Sequence, residues 1–256
     1  MMTPDAEFKS ELEVFRTEVA EGTQFFYSYL VVRAVADDHK PVEELLNRAP
    51  LFWNTVLAAL QTSSLIVLGR IFDQNSPHNL GKLFRIAQAH PKIFSKAALA
   101  RRQQGNDAEP PEWQADYLRD VHEPTQKDFL RICTYICKWR SIYETNYQAL
   151  RHKVFAHKQF SKGNAETAAL FGKTNIRELE RMFDFLNSLH AALRELFFNG
   201  RKPVLRPSRY SVKRMRDFPS PGSEPSSPQE RITREVERFL KSASRVPTTP
   251  SPGNAG

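Results

Sequence analysis

Residues 150–160 read LRHKVFAHKQF, an arginine and two histidines close to the end of a stretch that is otherwise apolar and helical. An imidazole titrates near neutral pH and a guanidinium carries a fixed positive charge, so the two types side by side could work as a catalytic pair. They could equally be surface residues at a helix end. Three arginines in the chain are followed five or six residues later by a histidine: Arg33 with His39, Arg85 with His90, and Arg151 with His157. The spacing alone therefore selects none of them. Context does. Two carboxylates follow Arg33, and Arg85 closes a short helix before a proline, whereas Arg151 and His157 bracket small apolar residues, with His152 next to the arginine. On an ideal helix, residues six apart differ by about 120° in direction and about 9 Å in height. The pair meets within one chain only if the helix ends between them, and a two-fold dimer would gather two arginines and two histidines into one cleft.

The elements that must position these residues are helical throughout. Phe8, Leu12, Phe15, Val19, Phe26, Leu30 and Ala34 recur at three- and four-residue steps and predict an amphipathic helix from Pro4 to about Asp38. A second long helix is predicted from about Val42 to Phe72. Its middle is apolar on most sides, which marks it as the central, most buried helix, and Asp73, Asn75, Ser76 and Pro77 stop it. Shorter helices are predicted over Leu80–His90 and Pro91–Arg102. A third long helix starts near Thr125 and runs through the Arg151–His157 segment. A fourth, capped by Thr174 or Asn175, runs to Asn199 and Gly200. No stretch alternates as a strand does. The predicted fold is all-α, an up-and-down bundle of about four long helices with short additional helices and a disordered C-terminal tail.

The chain of 256 residues carries a net charge of +8. Residues 201–256 hold 12 Lys/Arg against 5 Asp/Glu, so the basic character belongs to the tail and the body is nearly neutral. The expected domains are a helical domain over 1–200 and a basic, Pro/Ser-rich tail over 201–256, largely disordered, with a short helix at 228–241 that sets Ile232, Val236, Phe239 and Leu240 along one side. No uninterrupted run of about 18 apolar residues and no basic, apolar leader is present, so the expectation is a cytoplasmic protein without membrane contact. Cys133 and Cys137, four apart on a helix, are placed poorly for a disulfide and too few for a metal site; they read as buried free thiols. Walker, GxGxxG and GxSxG motifs are absent, which removes the chemistries that depend on them.

The segments ALRHKVFAHK, FWNTVLAALQTSSLIVLGRIFDQ and NLGKLFRIAQ together resemble the HEPN superfamily, and within it the abortive-infection AbiU-type branch. The resemblance covers roughly Val14 to Phe198 and leaves the tail out. It implies a metal-independent ribonuclease that needs no cofactor, in which a ribose 2′-hydroxyl attacks the neighbouring phosphate. His157 would take or give the proton, Arg151 would brace the phosphorane, and His152 would orient or assist. RNA, a second copy of the chain and an antitoxin protein are the partners it implies. Arg70 and Asp73 become secondary candidates for substrate binding; a local ion pair closing their helix is the plainer reading. Tyr147 shares the face of Arg151, as does Glu144, and could contact a base, although interface packing suits it equally; Lys153 and Lys158 could touch phosphates. Trp53 and Trp139 read as core and Trp113 as exposed. Two other readings remain: a HEPN module that binds nucleotide, RNA or a protein without cutting, and a structural bundle that recruits partners through its tail.

Overall fold

The protein is described by a computed structural model, which covers residues 2–105, 109–152, 174–206, 210–218, 225 and 227–245. Among these residues every regular element is a helix: α1 (Pro4–Asp38), α2 (Lys40–Arg48), α3 (Pro50–Phe72), α4 (Leu80–Ala89), a 3₁₀ turn (Pro91–Phe94), α5 (Lys96–Gln104), α6 (Gln114–Arg119), α7 (Gln126–Asn146), the short α8 (Gln148–Leu150), α9 (Ile176–Asn199), α10 (Val212–Asp217) and α11 (Pro228–Ala243). The expected all-α class is what is observed, and α1, α3, α7 and α9 are the four long helices.

Local chemistry explains most of the ends. Thr125 accepts from the Asp128 N–H while the Asp128 carboxylate accepts from the Thr125 N–H, a capping box that starts α7. Asn175 caps α9 through the N–H groups of Arg177 and Glu178. Gly200 closes α9 in the left-handed region at φ 59°, and a side chain there would also strike Val121 and Leu99. The single helix expected over 42–72 is two. Pro50 lacks an N–H and disfavours helical geometry at the residue before it, and Ala49 accordingly leaves the helix at φ −137° and ψ 64°. The expected helix over 91–102 is likewise divided, by Ser95, which caps α5.

The chain divides into two compact units. The first comprises Met1–Gly22 and Ser64–Arg209. Its core includes a cluster of rings: Phe8 stands edge-on to Phe94 at 5.1 Å, Phe197 lies 5.0 Å from Phe8, and Phe129 lies 5.8 Å from Phe94. Arg102 stacks over Phe197 at 4.1 Å and ties Asp5 to the carbonyls of Ile93 and Phe197. At Gly22 the helices come very close, since a Cβ would meet Phe183 and Val67 at 2.7 and 2.8 Å.

The second unit comprises Thr23–Ser63 and Tyr210–Gly256. Residues 201–256, expected as a largely disordered tail, contain two helices among their described residues. The helix expected at 228–241 forms as α11, but Phe239 is exposed and Gln229, Glu230 and Thr233 are buried with Leu240. Arg216 of α10 binds Asp38 at 2.6 Å and Glu237 at 3.2 Å, and the Tyr27 hydroxyl donates to the Tyr210 carbonyl.

Helix α3 is not the uniformly buried element its composition suggests. From Ser64 onward most of it is buried; before that no residue is, and Leu51 and Phe52 are 84% and 61% exposed. Among the described residues α3 is the one helix long and apolar enough to cross a membrane, with a mean hydropathy of 1.5 over its best 18-residue window. Several burial expectations change as well. Cys133 is half-buried and Cys137 exposed, both free. Trp53 and Trp139 are half-buried, Trp139 stacking on Phe185, and Trp113 is exposed as expected.

Candidate active site

The site is built where the end of α3 meets the end of α7, inside the first unit. Asp73 follows α3 directly, its N–H donating to the Gly69 carbonyl at 2.8 Å, so the carboxylate stands one turn above Gly69 on the same face. The helix expected to run on through Arg151 instead ends at Asn146. Tyr147 leaves helical geometry at φ −121° and ψ −29°, and its hydroxyl, fully buried, donates to Glu178 at 2.8 Å. Asn146 donates to the same carboxylate at 3.0 Å. Glu178, in the first turn of α9, therefore fixes the point at which α7 stops. Beyond it come the short α8 and a wider π-type turn at Arg151 and His152, the kind of local widening common at functional sites.

Arg151 reaches back to α3. Its Nη2 lies 2.6 Å from Asp73 Oδ2 and 2.7 Å from His152 Nε2. A guanidinium can only donate, so Nε2 is the side of the His152 ring that faces it as acceptor. His152 Nε2 stands 4.0 Å from Asp73 Oδ2, and Gln148 donates to Asp73 Oδ1 at 3.2 Å. Arg151 and Asp73 side chains are 17% and 15% exposed, which makes this a largely desolvated pair in which each contact is stronger than at the surface. Among the described residues Arg151 Nε is buried with no partner. Beneath the pair, Tyr143 stacks on Phe72 at 5.5 Å and its buried hydroxyl faces the Asp73 carboxylate. Burial, with the Asp73 charge adding to it, raises the Tyr143 phenol well above its ordinary range, so it stays protonated.

The residues singled out from sequence thus separate. Arg151, His152 and Asp73 are brought together. Arg70, expected to pair with Asp73, does not: it binds Glu18 at 2.7 Å and Glu21 at 3.1 Å on α1. Tyr147 is packed, its hydroxyl committed to Glu178, and Glu144 lies 3.9 Å from Arg140. Lys153, His157 and Lys158 lie outside the described residues. Gly69, Tyr143 and Gln148 belong to the site and were not anticipated. The four-residue step from Gly69 to Asp73 was the available signal, because it stacks both on one helix face. Among the described residues no three His, Cys, Asp or Glu side chains gather as a metal site would need.

The sequence pattern of AbiU2, a HEPN family, matches residues 5–217. The chain belongs to that family. The AbiU2 match extends past both ends of the resemblance first read over 14–198. At its C-terminal end the match takes in α10. None of the curated proteins and none of the solved structures compared with this AbiU2 domain matches it at a significant level.

Proposed function

We infer that this AbiU2 HEPN domain is a metal-independent endoribonuclease of a prokaryotic defence or toxin–antitoxin type system. The observation that carries this is the placement of Arg151, a largely desolvated guanidinium with a buried donor unpartnered among the described residues, next to the imidazole of His152. In the reaction, the ribose 2′-oxygen attacks the adjacent phosphorus and the bond from phosphorus to the 5′-oxygen breaks. The 2′-hydroxyl proton is taken up and the 5′-oxygen receives one, leaving a 2′,3′-cyclic phosphate and a 5′-hydroxyl. His157 carries the proton, Arg151 stabilises the negative charge that builds on the phosphorane, and the accepting Nε2 of His152 holds the arginine in place. Lys153 and Lys158 would add phosphate contacts. A two-fold dimer would bring two such sets to one cleft, an antitoxin protein would restrain them, and the cytoplasm is where the RNA would be met.

One observation favours the non-catalytic alternative, a module that binds nucleotide, RNA or protein: Arg151 Nη2 already holds Asp73, and a phosphate must compete with that carboxylate. Incubating the purified chain with mixed cellular RNA in EDTA decides between them. The ribonuclease reading expects fragments ending in 2′,3′-cyclic phosphate, lost in His157→Ala. RNA that is bound but uncut supports the binding module.

A further inference from the structure

Gly69 lies in the last turns of α3, buried and in ordinary helical geometry, since the positive-φ glycines among the described residues are Gly105 and Gly200. Conformational freedom does not explain a glycine there, and in a helix interior glycine is less favourable than alanine. What explains it is space. A Cβ at this position would stand 2.1 Å from Arg151 Nη1, 2.6 Å from Cδ and 2.7 Å from Cζ, and these are the three nearest atoms. Each distance is far inside van der Waals contact. Asp73, four residues on and on the same face, holds the same guanidinium at 2.6 Å. The arginine is therefore confined between a notch in one turn and a carboxylate in the next. A new methyl group would push against the side chain whose tip Asp73 holds.

The geometry points to Gly69 as a positioning residue: the missing Cβ is the notch that seats the Arg151 guanidinium on α3, so that an RNA phosphate meets it in one fixed place. The activity part of this rests on the ribonuclease reading; the seating does not. Gly69 touches no substrate and acts only through Arg151. A residue that fixes another to within about 1 Å can be worth up to about 10²-fold in rate.

The test is a double-variant cycle on the full chain, read by melting temperature and by cleavage of mixed cellular RNA in EDTA. Gly69→Ala is expected to lower the melting temperature of the wild type. In an Arg151→Ala background it should be neutral or stabilising, because the clash is gone and alanine favours the helix. If Arg151→Ala alone does not fold, Asp73→Asn with Arg151→Ala removes both charges and serves as the background. Cleavage by Gly69→Ala should fall at least about tenfold, in kcat more than in KM, with no further loss once Arg151 is absent. An equal melting loss in both backgrounds overturns the notch. A coupled melting loss with cleavage at the wild-type rate reduces Gly69 to packing and overturns the positioning role. A wild type that cuts no RNA sinks the ribonuclease reading instead, and the melting cycle still decides whether Gly69 seats Arg151.

Discussion

Two arginines meet carboxylates near the C-terminal end of α3, and they are held in different ways. Arg70 is 43% exposed and has two glutamates of α1 to itself, at 2.7 and 3.1 Å. Arg151 is 17% exposed and shares a single aspartate with Gln148, while its Nη2 also meets His152. The first is a solvated pair whose charge is more than matched; it fastens α3 to α1 and offers little to a ligand. The second sits where water is scarce, and among the described residues it has a single carboxylate partner and a buried donor unused. Burial and incomplete pairing, rather than the presence of an Arg–carboxylate contact, distinguish a site from a clasp.

The comparison is broken most severely by His157. If chemistry belongs to the Arg151 side, His157→Ala should slow RNA cleavage by about 10³-fold, the usual worth of a general acid–base group. His90→Ala, at the end of the comparable Arg85–His90 pair, should leave the rate within about twofold by the same reasoning. Equal losses in both would mean that the spacing, and not the socket, misdirected the assignment.

Stability sharpens it next. Asp73→Ala leaves a largely buried guanidinium without its carboxylate and should cost about 3 kcal/mol in denaturant unfolding. Glu18→Gln, on the exposed clasp, should cost less than about 1 kcal/mol. Similar values for the two would erase the difference in burial on which the comparison rests.

Acid offers a third and smaller probe. Guanidinium groups keep their charge across the working range, so acid sensitivity of the first unit has to come from elsewhere, and His190 on α9 is placed to supply it. Among the described residues its Nε2 is buried without a partner, and burial, reinforced by Arg16 and Arg194 and opposed by Glu13, lowers its pKa from 6.5 to about 4. The folded state resists a proton that the unfolded state accepts. Stability is then full above pH 6.5, erodes as pH falls, and the loss is complete below about pH 4. After allowance for partial exposure the loss is on the order of 2 kcal/mol. Melting curves across that window should flatten in His190→Leu; an unchanged slope contradicts the assignment. A cleavage profile falling below pH 6.5 has to be read beside this unfolding before it is credited to a catalytic histidine.

What was legible in the sequence was what local chemistry dictates. The cap at Asn175, one of the two residues expected for it, the start near Thr125 and the stop at Gly200 each depend on residues close by in the chain. Pro50 carried the signal for the break before α3, but the apolar run across it suggested one continuous helix. Composition also misjudged α3, since apolar residues announce a wish for burial without saying against what, and Leu51 and Phe52 remain exposed. The end of α7 at Tyr147 could not be read locally, because Glu178, 31 residues away, makes it. The same holds for the site. Arg151, His152 and Asp73 were all named, but Asp73 was assigned to Arg70, its helical neighbour, and only the tertiary fold gives it to Arg151.

The central claim is that Arg151, and not its exposed counterpart, does chemistry. The most direct test is the single-turnover rate of RNA cleavage in EDTA for the wild type, Arg151→Ala and Arg70→Ala, all confirmed folded. The account predicts a loss of about 10²-fold or more for Arg151→Ala and less than about threefold for Arg70→Ala. Equal rates for the wild type and Arg151→Ala would contradict it.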